Sequence, residues 1–108
     1  MIKVINGVRR SGKSTLLRLI QDRLITRNVS QEQIIFINFE SMKFYDIRDS
    51  KKLYDYVMAL VNSNEKVYLF FDEVQLVKEW ERTINSFLAD LDSDIYITGS
   101  NSNLLSSE

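Results

Sequence analysis

The chain has 108 residues, enough for one domain or a piece of one; it is 44% hydrophobic and 27% charged with a formal net charge of −1. These values exclude a disordered chain and give no basic face for nucleic acid, which is not indicated as a partner. There is no Cys and no His, so disulfides, soft-ligand metal sites, a cysteine nucleophile and a histidine base are excluded.

No uninterrupted apolar run approaches the roughly 20 residues that span a bilayer. Lys3, Arg9 and Arg10 interrupt any signal-peptide pattern, so a cytoplasmic protein with no membrane partner is expected. Lys3-Val4-Ile5 predicts a short first strand. From Lys13 to about Arg27, Leu16, Leu17, Ile20 and Leu24 fall at helical spacing, with Asn28 as the stop. Ile34 to Phe39 is β-branched and aromatic, which predicts a second strand. Ser41 to Arg48 reads as irregular. Asp49 is placed to cap a helix carrying Leu53, Tyr56, Val57, Leu60 and Val61. Val67 to Phe71 is nearly all apolar, as in a strand buried on both faces of a parallel sheet. Trp80, Ile84, Phe87, Leu88 and Leu91 mark a third helix, and Ile95 to Thr98 a fourth strand ended by Gly99. Strands alternating with helices predict an α/β fold with right-handed crossovers. Ligands of such sheets sit beyond the carboxyl ends of the strands, where every polar cluster of this chain falls.

Gly7-Val8-Arg9-Arg10-Ser11-Gly12-Lys13-Ser14 matches the phosphate-binding pattern G-x-x-x-x-G-K-[ST], between a strand and a helix. Gly7 and Gly12 let the backbone approach phosphates closely, and the N–H groups of the loop, Ser11 included, form an anion nest at a helix N-terminus. Lys13 would reach the β- and γ-phosphates, Ser14 would ligate Mg²⁺, and Thr15 is placed for the α-phosphate. Arg9 and Arg10 are candidates for phosphate contact, for pairing with an acidic residue on a neighbouring strand end, or for solvation. The implied ligands are ATP or ADP with Mg²⁺.

The apolar run from Val67 ends in Asp72-Glu73, the Walker B arrangement. Asp72 would hold the magnesium through its water shell, and Glu73 would polarise the attacking water. Glu directly after that Asp points to a P-loop NTPase of the additional-strand, catalytic-Glu division. The polar end Thr98-Gly99-Ser100-Asn101-Ser102 supplies candidates for sensing the γ-phosphate or the attacking water: Thr98, Ser100 and Asn101. The candidate catalytic set is Glu73, Lys13 and Ser100. Glu40 and Gln75 lie at strand ends near the site and are read as solvated or supporting residues. Most aromatics fall on core positions.

At this point the chain resembles the bacterial and archaeal AAA-type ATPases that join an N-terminal AAA domain to a C-terminal domain of unknown function. The resemblance runs through the phosphate loop, Ile37-Asn38-Phe39-Glu40, Phe71-Asp72-Glu73-Val74-Gln75, Trp80-Glu81 and Ile97-Thr98-Gly99-Ser100-Asn101-Ser102-x-Leu104-Leu105-Ser106. It implies ATP and magnesium binding, and ATP hydrolysis driving or switching a conformational change. It also implies a parallel sheet of order 1-4-3-2 flanked by helices. That sheet would be incomplete, because a fifth strand, a helical lid with a further Arg, and the C-terminal domain are absent. The phosphate-loop strand would then lie at an exposed edge, an association hazard that makes self-association an expectation. Two other readings stay open: a nucleotide-dependent switch that does not hydrolyse, and a small P-loop kinase. The latter is disfavoured because kinases rarely place Glu after the Walker B Asp.

Overall fold

In the computed structural model, residues 1–6, 12–62 and 64–99 are described. Four strands, β1 (Ile2–Asn6), β2 (Ile34–Asn38), β3 (Val67–Asp72) and β4 (Ser93–Gly99), alternate with three helices. These are α1 (Lys13–Thr26), α2 (Ser50–Leu60) and α3 (Trp80–Asp90). The strands form one sheet of order β1-β4-β3-β2, and all three pairings are parallel. The expected order 1-4-3-2 is the observed one.

Side chains alternate across the strands, so each strand feeds two cores. Ile35, Ile37, Val67, Leu69, Phe71, Ile95 and Ile97 share a cluster with Leu53 and Val57 of α2 and Ile84 and Phe87 of α3. Phe70 and Tyr96 instead pack with Leu17 of α1, and their rings stack at 4.7 Å. Helix α1 thus lies on one face of the sheet and α2 with α3 on the other. Two right-handed crossovers running back along the sheet require this placement.

The helix ends follow local chemistry. Asn28 takes a left-handed φ of 71° after α1, its N–H donates to Ile25 O and that of Val29 to Leu24 O. This pair of bonds closes a Schellman turn, and Asn is one of the few non-glycine residues that tolerates the conformation. Asp49 caps α2 by accepting from Lys52 N–H at 2.9 Å. Tyr54 of α2 stacks on Phe87 of α3 at 5.7 Å, and Ser50 Oγ meets Thr83 Oγ1 at 2.5 Å.

The expected apolar faces are narrower than their spacing suggests. Leu17 is fully buried but Leu16 is 43% exposed, and Tyr56 and Leu60 are also largely exposed. A helix turns about 100° per residue, so Leu16 and Leu17 cannot both face the sheet. Tyr56 instead meets the ring of Phe44 edge-on at 5.8 Å.

The irregular segment after β2 is more ordered than its sequence suggests. It holds a short 3-10 turn at Met42–Phe44. The Arg48 guanidinium donates to the carbonyls of Phe39, Phe44 and Ile47. Three carbonyls on one rigid fork tie this loop to the residue that follows β2.

Candidate functional site

Parallel register sets the frame of the site. Asn38 pairs with Asp72 and Asn6 with Gly99. Phe71 pairs with Ile97, which brings the next residues, Asp72 and Thr98, side by side. Four strand ends therefore finish on one line, with the N-terminus of α1 beside them. Gly12, the N-cap of α1, has φ +90°, a left-handed conformation that strains any residue with a Cβ. It brings no capping side chain, and no acidic residue occupies the first turn. Among the described residues, no side chain therefore satisfies the first N–H groups of α1.

Five of the candidate residues converge there: Lys13, Ser14, Asp72, Glu73 and Thr98. Ser14 Oγ donates to Asp72 Oδ2 at 2.6 Å, and Thr98 Oγ1 donates to Asp72 Oδ1 at 2.5 Å. Asp72 is 2% exposed, so a charge taken almost wholly out of water has a donor on each oxygen. Lys13 is also buried. Its Nζ donates to Gly99 O at 3.2 Å and lies 3.6 Å from Glu73 Oε2.

Glu73 stands in the left-handed region, with φ 60° and ψ 51°. Such a conformation costs a non-glycine residue on the order of 1–3 kcal/mol and persists only where its surroundings enforce it. Here the Glu73 N–H donates to Thr98 Oγ1 at 3.0 Å. The chain then enters a 3-10 turn at Val74–Leu76, anchored by the buried Val74 and Val77. Gln75 on that turn donates from Nε2 to Glu73 Oε1 at 2.8 Å.

Thr98 therefore lies beneath the two carboxylate-bearing residues and joins them. The sequence offers it as a sensor candidate, but its bridging position comes from the register. Gln75, read as a supporting residue, contacts Glu73 directly. Glu40 is exposed just past β2. Thr15 lies in the first turn of α1, exposed at the same end. Gly7, Arg9, Arg10, Ser11, Ser100 and Asn101 lie outside the described residues.

The donor chemistry at Ser14 and Asp72 fits magnesium. Both offer hard oxygens that already meet, and Mg²⁺ commonly takes one or two protein oxygens with water and phosphate completing its shell. No group of three or more His, Cys, Asp or Glu converges among the described residues. A separate cleft of about 570 Å³ runs along α3 beside the start of α2, lined by Asp49, Lys51, Tyr54, Arg82 and Asp90 among others. It does not include Lys13, Ser14, Asp72 or Glu73. No helix of the described residues is long and apolar enough to cross a membrane.

The model of the AAA domain family matches residues 1–108. Among curated proteins, the chain is 42% identical to an uncharacterized protein of Haemophilus influenzae, over 99% of this chain and 27% of that protein. It is 37% identical to the uncharacterized protein MJ1544 of Methanocaldococcus jannaschii, over 99% of this chain and 23% of that one. The chain thus spans about a quarter of the length of these relatives. No solved structure matches it.

Proposed function

Because this chain belongs to the AAA domain family, we propose that it binds Mg-ATP at the N-terminus of α1. We propose further that the longer protein to which such a domain belongs hydrolyses ATP to ADP and phosphate, driving or switching a conformational change. The observation that carries this reading is the convergence of Lys13, Ser14, Asp72 and Glu73 at one buried strand end.

Each group has a distinct task. Backbone N–H groups at the start of α1 receive phosphate oxygens. Lys13 exchanges its contact with Glu73 for the β- and γ-phosphates. Ser14 and Asp72 would hold magnesium, which when bound neutralises charge on the phosphate oxygens. Thr98 keeps Asp72 oriented. Glu73 takes a proton from the water that attacks the γ-phosphorus. Its left-handed backbone keeps this carboxylate from continuing the line of β3, so it stands beside Lys13 rather than behind Asp72. Arg9, Arg10 and Ser11 belong to the proposed phosphate loop, and Ser100 to the proposed sensor end.

Titration of the full-length protein with a fluorescent ATP analogue tests the site. Binding should saturate and be lost in Lys13→Ala; equal binding by that variant sinks the assignment. Phosphate release tests the reaction. Glu73→Gln should still bind ATP but turn over at least about tenfold more slowly, as removal of a general base does. A full-length protein that binds ATP tightly yet releases no phosphate under any condition is a switch rather than a hydrolase.

A further inference from the structure

Glu73 is held by more than its backbone. Gln75 sits two residues on, on a turn closed by Leu76 N–H to Glu73 O at 3.2 Å and Val77 N–H to Val74 O at 3.0 Å. With Val74 and Val77 both in the core, the Gln75 stem has little freedom to swing. Its amide nitrogen is the end that must face Glu73, because a carboxylate only accepts. The consequence is visible at the other end of the amide: Gln75 Oε1 is buried and, among the described residues, accepts no hydrogen bond. A stranded buried acceptor costs about 1–3 kcal/mol. A position that served packing alone would carry less penalty with Leu or Met. Glutamine at this point is therefore explained by the bond to Glu73 rather than by the core.

We propose that Gln75 is a positioning residue for the water-activating carboxylate. Lys13 and Gln75 both contact Glu73 in the structure, on different oxygens. When phosphate draws Lys13 away, Gln75 keeps Oε1 engaged and directs Oε2 toward the attacking water. The water oxygen then bonds to the γ-phosphorus and one of its protons passes to Oε2. The bond from the γ-phosphorus to the bridging oxygen breaks, and its electron pair leaves with ADP. Without Gln75 the carboxylate loses its restraint on Oε1, and the fraction of encounters with the right geometry falls. This inference rests on the reading of Glu73 as the general base.

A double-mutant cycle in the full-length protein separates this role from a structural one. Gln75→Leu keeps the volume and removes the donor. In the wild-type background it should lower single-turnover phosphate release about tenfold, a typical loss for misplacing a general base, with ATP affinity changed less than about twofold. In the Glu73→Gln background the same substitution should change the rate by less than about twofold, because Gln75 acts through Glu73. Gln75→Asn, whose shorter amide cannot reach Glu73 from the same backbone, should follow Gln75→Leu and stands in for it if the leucine variant does not fold. Equal slowing in both backgrounds, an effect on ATP affinity alone, wild-type rates in Gln75→Leu, or failure of both variants to fold would each overturn the proposal. If the wild-type protein releases no phosphate, the hydrolysis reading falls and this proposal with it. If wild type is active and only Glu73→Gln is slow, the hydrolysis reading survives and the role of Gln75 alone is refuted.

Discussion

Thr98→Val is the substitution whose effect the structure specifies most closely. Valine has nearly the shape of threonine, so the fully buried position stays filled and only the hydroxyl is lost. That hydroxyl donates to Asp72 Oδ1 and accepts from Glu73 N–H. A hydrogen bond to a charged group contributes about 1.5–3 kcal/mol, and a stranded buried donor costs about 1–3 kcal/mol. Both effects come from one atom and part of each is recovered by relaxation, so the expected loss is about 2–4 kcal/mol rather than the full sum. For a domain of this size that lowers the melting temperature by roughly 10–25 °C. Thr98→Ser keeps both bonds and loses one methyl, at a cost of about 1 kcal/mol. Urea unfolding followed by the fluorescence of Trp80, the single tryptophan, measures both. The reasoning is refuted if Thr98→Val unfolds within about 0.5 kcal/mol of wild type, or if the serine variant is the less stable of the two.

The two neighbouring leucines of α1 should behave very differently. Leu17→Ala empties a buried site against Phe70 and Tyr96 and should cost about 2–5 kcal/mol. Leu16→Ala, at a largely exposed position, should stay within about 1 kcal/mol of wild type in the same urea assay. Tyr96 provides an alkaline marker: burial, followed by the nearby Asp94 carboxylate, raises its phenol above the usual value of 10.0. Its neutral form is the one favoured in the folded state, so this contribution to stability is complete below pH ~10 and is lost as pH rises through the raised value. Spectrophotometric titration at alkaline pH should show one late-ionising tyrosine that disappears in Tyr96→Phe; an unchanged titration would contradict the burial argument.

Much of this protein was legible in one dimension. Apolar runs such as Val67 to Phe71 specify buried strands because only a sheet covered on both faces hides every side chain. Asp49 specifies the start of α2 because its side chain satisfies an amide three residues away. Gly12-Lys13-Ser14 can be read from sequence as the proposed phosphate site because the chemistry of the motif lies within one turn of backbone. These signals depend on neighbours a few residues apart, so spacing along the chain carries them. The resemblance of the motif blocks supplied the strand order, which periodicity alone could not.

What tertiary structure decided depends on partners distant in the chain. Thr98 lies 26 residues from Asp72 and Ser14 lies 58 from it; only parallel register brings the three together. The left-handed backbone of Glu73 has no signature in a residue type that ordinarily avoids it, because the conformation is enforced from a neighbouring strand by Thr98. The choice of Leu17 over Leu16 depends on how far α1 is rotated over Phe70 and Tyr96, a matter of packing rather than of spacing. Gln75 is the sharpest case: its sequence neighbourhood suggests a polar turn, yet its amide is aimed at Glu73 because Val74 and Val77 are drawn into the core on either side of it. Local chemistry chose the elements, while the sheet, by aligning the ends of strands far apart in sequence, chose which polar groups meet.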